Sequence, residues 1–270
     1  MLSKYIKKTI TATLSFITVI FMFVPENQFS YQVIPQISME LNIIIVRIMF
    51  FVAAYVLIAL GYGGYLMCRR KVTIKGKNYS IAVEYGDIFK IKKAKKVIPF
   101  DECFTTEIGN EPYQINKDSV CGQYLLKNTS LNIQNLIDSS NLTKKGKSQY
   151  CSKDRYESGR ILNNGEYLLM AFAKLDKNGL GRMTRKEYID SLEILWEEID
   201  KYYGQDDVCV PILGSGVTRI NDMPLTQQEL LDIVIDSYRL SVKKIHNPAK
   251  LRIICKRRED FSLNRIGENI

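Results

Sequence analysis

The pattern of apolar and polar positions changes character at Lys71. Before it, apolar residues come in two unbroken runs. Thr9 to Val24 is about 16 residues, or roughly 24 Å of helix, slightly short of a bilayer core. Ile48 to Met67 holds about 20 residues without a charge, enough to span. Two transmembrane helices, over about 9–25 and 45–67, are expected within an anchor covering residues 1–71. A signal peptide shares the basic start of the first run and could precede a single span, but no convincing small-x-small cleavage site follows. Interfacial helices are a third option.

Beyond Lys71 the periods are those of a folded domain, 72–270, of about 199 residues, enough for one substantial core. Val72–Ile74 and Tyr79–Val83 flank Lys75-Gly-Lys-Asn78, a hairpin signal. Val97–Phe100 reads as a short strand behind Lys92–Lys96. Asp101 to Lys147 is polar and irregular, with one helix expected around Leu131–Ser140. Gly159–Leu162 and Tyr167–Ala173 meet across Asn163-Asn-Gly165, whose Asn-Gly marks a turn. A helix from Arg185 to about Tyr203 opens with the capping box Thr184-Arg-Lys-Glu187, and Tyr188, Leu192, Leu195, Trp196 and Ile199 recur at helical spacing. The apolar run Val208–Leu213 follows. A second capping box, Thr226-Gln-Gln-Glu229, opens a helix to about Lys244, and Leu251–Cys255 is a closing strand. Strand, helix, strand, helix, strand implies a three-layer α/β domain with parallel pairing in its second half.

Charge adds topology. Lys4, Lys7 and Lys8 precede the first run, Arg69, Arg70 and Lys71 follow the second, and the connection carries Glu26 and Glu40. The positive-inside rule places both ends in the cytoplasm, as a two-pass helical hairpin. Arg47 either snorkels to the interface, lines a pore or pairs with Glu40. Gly61-Tyr-Gly-Gly64 could permit close helix packing. Of the net charge of +9, the anchor supplies seven Lys/Arg against two Asp/Glu, so the soluble part is only mildly basic and does not suggest a nucleic-acid platform. The run Lys243, Lys244, Lys250, Arg252, Lys256, Arg257 and Arg258 reads as a solvated face or a contact for anionic lipid.

Candidate chemistry is sparse. The six cysteines show no C-x-x-C spacing and read as reduced, buried thiols, and with His246 the only histidine there is no zinc cluster or Ser/His/Asp triad. Asp176–Glu187 fits a calcium loop at positions one, three, six and twelve. However, Leu180 stands at position five and a strand precedes it, so a turn plus a helix cap explains it better. The sharpest feature is Pro211-Ile-Leu-Gly-Ser-Gly-Val-Thr-Arg219. Glycines between a buried strand and a helix let backbone N–H groups approach a phosphate, although many such turns carry glycine for geometry alone. In an open α/β fold this loop would lie at a strand's carboxyl end, where ligands bind.

With these residues placed, the chain resembles the macro domains, specifically the membrane-anchored macro-domain effectors of type II Thoeris antiphage defence. The resemblance rests on the two N-terminal spans, Tyr85-Gly-Asp-Ile-Phe89 after an early strand, Pro211–Arg219, and the segments Phe100–Thr106 and Ser119–Gln123. It implies a three-layer α/β/α macro-like domain with a mixed sheet. Asp87 would accept from the adenine amine, with Ile88 beside it. Gly214, Ser215, Gly216, Val217 and Thr218 would wrap the diphosphate and a ribose, with Arg219 either adding charge or lying on the surface. Asp101, Phe104, Thr105, Gly122 and Gln123 complete the expected ligand contacts. Ordinary macro domains carry an Asn-Ala-Asn strand end and a glycine-rich first loop where this chain has Asp101–Thr106, and it lacks both. The resemblance further implies a non-enzymatic effector of the bacterial inner membrane with no cofactor beyond its ligand. That ligand is an ADP-ribose-derived messenger, of the histidine-ADP-ribose class, made by a TIR-domain partner. Binding would drive homo-oligomer assembly against membrane lipid and death of the infected cell. A membrane-tethered ADP-ribosyl hydrolase is the alternative, and a passive membrane adaptor the third reading.

Overall fold

The computed structural model describes residues 2–216, 218–220, 225–259 and 261–266. The chain forms two compact units, one running up to Arg69 and rejoined from Asn264, the other Arg70–Leu263.

In the first unit, α1 (Leu2–Phe23) and α2 (Met39–Cys68) are both long and apolar enough to cross a membrane, and most of their side chains are exposed. Both helices begin before the apolar runs do. Ser38 caps α2 by accepting from the Leu41 N–H. Asn42, fully buried, accepts from the N–H groups of Val33 and Ile34 and donates to the carbonyls of Ile34 and Ile37, closing the connection onto the helix start. The helices meet through buried Thr9 and Thr13 and through Tyr5, whose hydroxyl donates to the Ala59 carbonyl at 2.5 Å and whose ring stacks on Tyr62. Of the glycines expected to allow close packing, only Gly63 faces that contact; a Cβ on Gly61 or Gly64 would meet nothing within 4 Å. The Arg47 guanidinium lies over the rings of Phe21 (5.5 Å) and Phe29 (5.8 Å), a cation–π site that lets a cation sit beside apolar residues.

The second unit is a mixed sheet with helices on both faces. In chain order it comprises β1 (Lys71–Lys75), β2 (Ser80–Tyr85), β3 (Ala94–Asp101), α3 (Val120–Lys127) and α4 (Ile133–Asp138). β4 (Lys144–Lys147), β5 (Asp154–Tyr156), β6 (Ile161–Asn164), β7 (Tyr167–Leu175) and β8 (Gly181–Met183) follow. The last elements are α5 (Arg185–Tyr202), β9 (Asp207–Pro211), β10 (Arg219–Ile220), α6 (Gln227–Leu240) and β11 (Leu251–Cys255). The strand order is β1-β2-β11-β9-β3-β7-β8-β10, with β6 also on β7, and β4 pairs with β5 alone. β2, β11, β9, β3 and β7 are parallel to one another, while β1, β6 and β8 are antiparallel to their neighbours in that core. β7, β9 and β11 are largely apolar runs because both their faces are covered.

Side-chain alternation assigns the layers. Ile98, Phe100, Leu169 and Ala171 form one core with Tyr124 of α3 and Ile137 of α4. On the other face, Phe172 meets Tyr188 of α5 edge-on at 5.9 Å. Trp196 of α5 meets Tyr238 of α6 at 5.0 Å, and its indole N–H donates to Ser237 at 2.6 Å. Both capping boxes form as read, at Thr184/Glu187 and Thr226/Glu229.

Several boundaries differ from expectation. α6 stops at Leu240, where Lys244 Nζ turns back onto the carbonyls of Tyr238 and Ser241 and satisfies the helix end. β9 stops at Pro211, two residues before the end of the apolar run, and β3 begins at Ala94, within the segment read as preceding it. The β6–β7 loop is Gly165-Glu166 instead of Asn164-Gly165, the register that sets Leu162 opposite Leu169 in the core. Asp176 holds the β7–β8 turn by accepting from the N–H groups of Asn178 and Leu180 and pairing with Arg182. Three cysteines are buried as expected (Cys121, Cys209 and Cys255), but Cys68 and Cys151 are exposed and Cys103 is half-buried.

Leu169 is fully buried and Leu240 is 85% exposed. Leu169→Ala is expected to lower unfolding stability by about 2–5 kcal/mol and Leu240→Ala by less than about 0.5 kcal/mol. Denaturant melts of the full-length protein in detergent, followed by Trp196 fluorescence, check the pair.

Candidate functional site

Five parallel strands release their chains at one edge of the sheet, and a cavity of about 770 Å³ lies there. That volume is in the range of small-molecule sites. Every one of the five exits contributes to it.

After β2 the chain turns at Gly86-Asp87 into a short 3-10 turn, Ile88–Lys90. Asp87 caps that turn, one carboxylate oxygen accepting from the Phe89 N–H at 3.0 Å, and is otherwise exposed at the cavity. Ile88 is buried beside Ala94, Cys209 and Ile254, which fixes the turn to the sheet. Phe89 lines the cavity, with the Lys127 ammonium 3.9 Å from its ring centre.

β3 ends on Asp101, whose carboxylate folds the next residues around itself. It accepts from the N–H groups of Cys103 (2.8 Å) and Thr105 (3.3 Å) and from the Thr105 hydroxyl. Burial outweighs those hydrogen bonds and raises its pKa above the ordinary 3.8. Asp101 and Thr105 line the cavity. Phe104 does not: it has positive φ and turns into the core against Phe100 and Tyr156. α3, which the sequence did not reveal, begins at the cavity with Ser119 capping the Gly122 N–H at 2.9 Å. Gln123 lines the cavity and donates to the Asp118 carbonyl. Gly122 lies behind it, where a Cβ would stand 2.3 Å from the Asn116 carbonyl oxygen, so it is a packing glycine and not a contact. Burial pushes the neighbouring Cys121 thiol well up, which disfavours its thiolate form.

β9 delivers the glycine loop. The Tyr188 hydroxyl of α5 donates to the Leu213 carbonyl at 3.1 Å, and Ser215 Oγ donates to the Ile212 carbonyl at 2.7 Å, so the loop is held from beneath. Gly214 has φ +76, and a Cβ there would stand 2.6 Å from Ile220 Cδ1. Gly214, Ser215, Gly216 and Thr218 line the cavity; Val217 lies outside the described residues. Arg219 does not line it: it is exposed in β10, in register with Arg182.

The exit of β11 brings the residues that sequence reading missed. After β11, Lys256 and Arg258 line the cavity. Lys256 Nζ donates to the Asp118 carbonyl across its mouth, and its own carbonyl accepts from buried Gln227 at the start of α6. The available signal was position, since these residues directly follow a predicted parallel strand.

Residues 81–256 match the family described as Thoeris protein ThsA, Macro domain. The chain belongs to that family. A curated relative, the Thoeris protein ThsA of Bacillus amyloliquefaciens (strain Y2), is 26% identical over 214 residues, covering 74% of this chain and 70% of that protein. Among solved structures, a mutant macrodomain of Oceanobacillus iheyensis is similar with a TM-score of 0.46 and 10% identity, covering 72% of this chain and 93% of that one. A second mutant of that macrodomain, with ADPR, gives 0.41 and 8%, covering 70% and 92%. At TM-scores this low neither likeness bears on the ligand of this chain. The mixed α/β sheet is thus a ThsA macro-domain fold, preceded by two helices able to cross a membrane.

Two outcomes follow for the stability of the ThsA-type site. Gly214→Val is expected to cost about 2 kcal/mol or more, through its positive φ and the contact with Ile220, read by thermal melts. Because the folded pKa of Asp101 is raised, its stabilising contribution is fully present below about pH 4 and is lost as pH rises through the folded value. Asp101→Asn is expected to remove that loss, so the difference in melting temperature between variant and parent changes between pH 4 and pH 7. A pH-independent difference would assign the raised pKa elsewhere.

Proposed function

We propose that the chain is a sensor-effector of Thoeris antiphage defence whose cavity binds an ADP-ribose-derived messenger. The observation that carries this reading is the convergence of an exposed carboxylate, Asp87, and glycine-loop residues Gly214, Ser215, Gly216 and Thr218 on one cavity. A carboxylate oxygen beside a hydrophobic ledge (Ile88, Phe89) suits the exocyclic amine of a purine. The N–H groups of a glycine turn suit a diphosphate. Asp101, Thr105 and Gln123 would then face the distal ribose and its substituent.

Binding without turnover is the favoured chemistry. Hydrolysis needs a base free to activate water, whereas Asp101 already accepts three hydrogen bonds within its own turn and Asp87 caps a helical turn. The messenger belongs to the histidine-ADP-ribose class and comes from a TIR-domain partner. Residues 1–71 anchor the protein in the bacterial inner membrane with both termini cytoplasmic, as the flanking cations favour. Ligand binding in 72–270 changes self-association, and the assembled hairpins compromise the membrane and kill the infected cell.

Calorimetry on the full-length protein in detergent, with ADP-ribose and its histidine conjugate, tests the reading. Saturable binding without conversion of either ligand is expected, and Asp87→Ala is expected to weaken it about tenfold or more, the worth of a hydrogen bond to a charged group. No binding of either compound would sink the reading, and release of free ADP-ribose from the conjugate would replace it with the hydrolase.

A further inference from the structure

A second hollow, of about 500 Å³, opens beside the cavity and is lined by Arg70, Tyr85, Gly86, Cys255, Lys256 and Arg257. The messenger reading leaves it without a role. It lies at the carboxyl ends of β2 and β11, where the Tyr85 N–H donates to the Arg70 carbonyl (3.1 Å) and the Gly86 N–H to the Cys255 carbonyl (3.2 Å). Gly86 and Lys256 belong to both hollow and cavity.

Its chemistry is one-sided. Three of its six lining residues are cations, and among the described residues no carboxylate lines it. Arg252, four residues before Lys256, is neutralised by Glu84 at 2.5 Å and by Asp207 at 3.6 Å. Among the described residues, Arg70, Lys256 and Arg257 have no such carboxylate partner. Two of the three are oriented nonetheless. The Arg257 guanidinium lies 5.0 Å from the centre of the Tyr85 ring, which Phe261 supports edge-on and which is tied by a hydrogen bond from the Leu263 N–H to its hydroxyl. Lys256 gives one N–H to Asp118, leaving two for a ligand.

We infer that this hollow binds a phosphoryl group, at a site separate from the glycine loop. Three clustered like charges repel unless an anion joins them, and a phosphate accepts from a guanidinium fork and an ammonium at once. Two sources carry that group. One is a phosphate ester on the adenosine side of a nucleotide in the cavity, across the wall formed by Gly86 and Lys256; this source alone rests on the proposed function. The other is a phospholipid headgroup, because Arg70 follows Cys68, the last residue of α2, by two positions in sequence.

Full-length protein in neutral detergent, titrated by calorimetry, separates the cases. The probes are ADP-ribose, its 2′-phosphorylated form, dioctanoyl phosphatidic acid and dioctanoyl phosphatidylcholine. The variants are Arg70→Gln, at an exposed position, and Arg257→Gln. Tighter binding of 2′-phospho-ADP-ribose than of ADP-ribose, with the advantage lost about tenfold in the variants, supports a nucleotide phosphate. Saturable binding of the phosphatidic acid over the phosphatidylcholine, lost to the same extent, supports a lipid phosphate. Phosphate-dependent binding that both variants retain, or no phosphate dependence with any probe, overturns the inference. ADP-ribose alone reads the cavity, so its failure to bind wild-type protein counts against the messenger reading and leaves the lipid comparison intact.

Discussion

Parallel pairing among β2, β11, β9, β3 and β7 is the constraint from which the rest of the domain follows. Strands buried on both faces need helices on both sides, and α5 and α6 cover one while α3 and α4 cover the other. The same pairing sends five chain exits to one edge, where helices that start from those exits cannot also fill the space between them. A slip of one residue in β3 against β7 would exchange Val97 for Ile98 on the face packed by Tyr124. The cavity is therefore as well specified as the core beneath it.

Local hydrogen bonds then shape much of the cavity's rim. Asp87 closes its turn through Phe89, Asp101 through Cys103 and Thr105, and Ser119 through Gly122, while Tyr188 holds the Leu213 carbonyl from the helix below. Side chains that elsewhere offer reactive groups are here occupied in holding backbone. What remains available to a ligand is largely backbone N–H, apolar surface, the second Asp87 carboxylate oxygen and the cations after β11. Such a lining suits recognition of an anionic, planar molecule, in keeping with the proposed receptor role.

Much of this was legible because local rules and tertiary packing agree. Both capping boxes, the run Tyr167–Ala173 and the strand Leu251–Cys255 sit where the sequence put them. α3 was not legible: it has eight residues and a glycine at the third, which lowers helix propensity and is required by the close approach of the Asn116-Lys117 backbone. β4 is exposed at all four positions, so no apolar alternation announces it. β8 and β10 are three and two residues long and exist through pairing with each other and β7. That short pairing explains Arg219, which continues the glycine loop in sequence yet leaves the cavity in space. Strand order is a long-range property, and no local pattern indicated that β11 lies between β2 and β9.

That order gives the C-terminal basic run a structural logic. A ligand reaching from the exit of β2, at Asp87, to the exit of β9, at Gly214, must cross the exit of β11. Lys256 and Arg258 stand there, exposed and on the cavity wall, whereas Arg252 within the strand is already paired with Glu84 and Asp207. Lys244 is likewise committed, to the carbonyls at the end of α6. The run thus divides by position: Lys243, Lys244 and Arg252 are committed within the fold, and those after β11 remain available to an anion. A diphosphate crossing this edge, as proposed, would meet side-chain charge midway between the carboxylate and the glycine loop. The conventional candidate for that charge, Arg219, is the one residue of the loop that β10 has taken away.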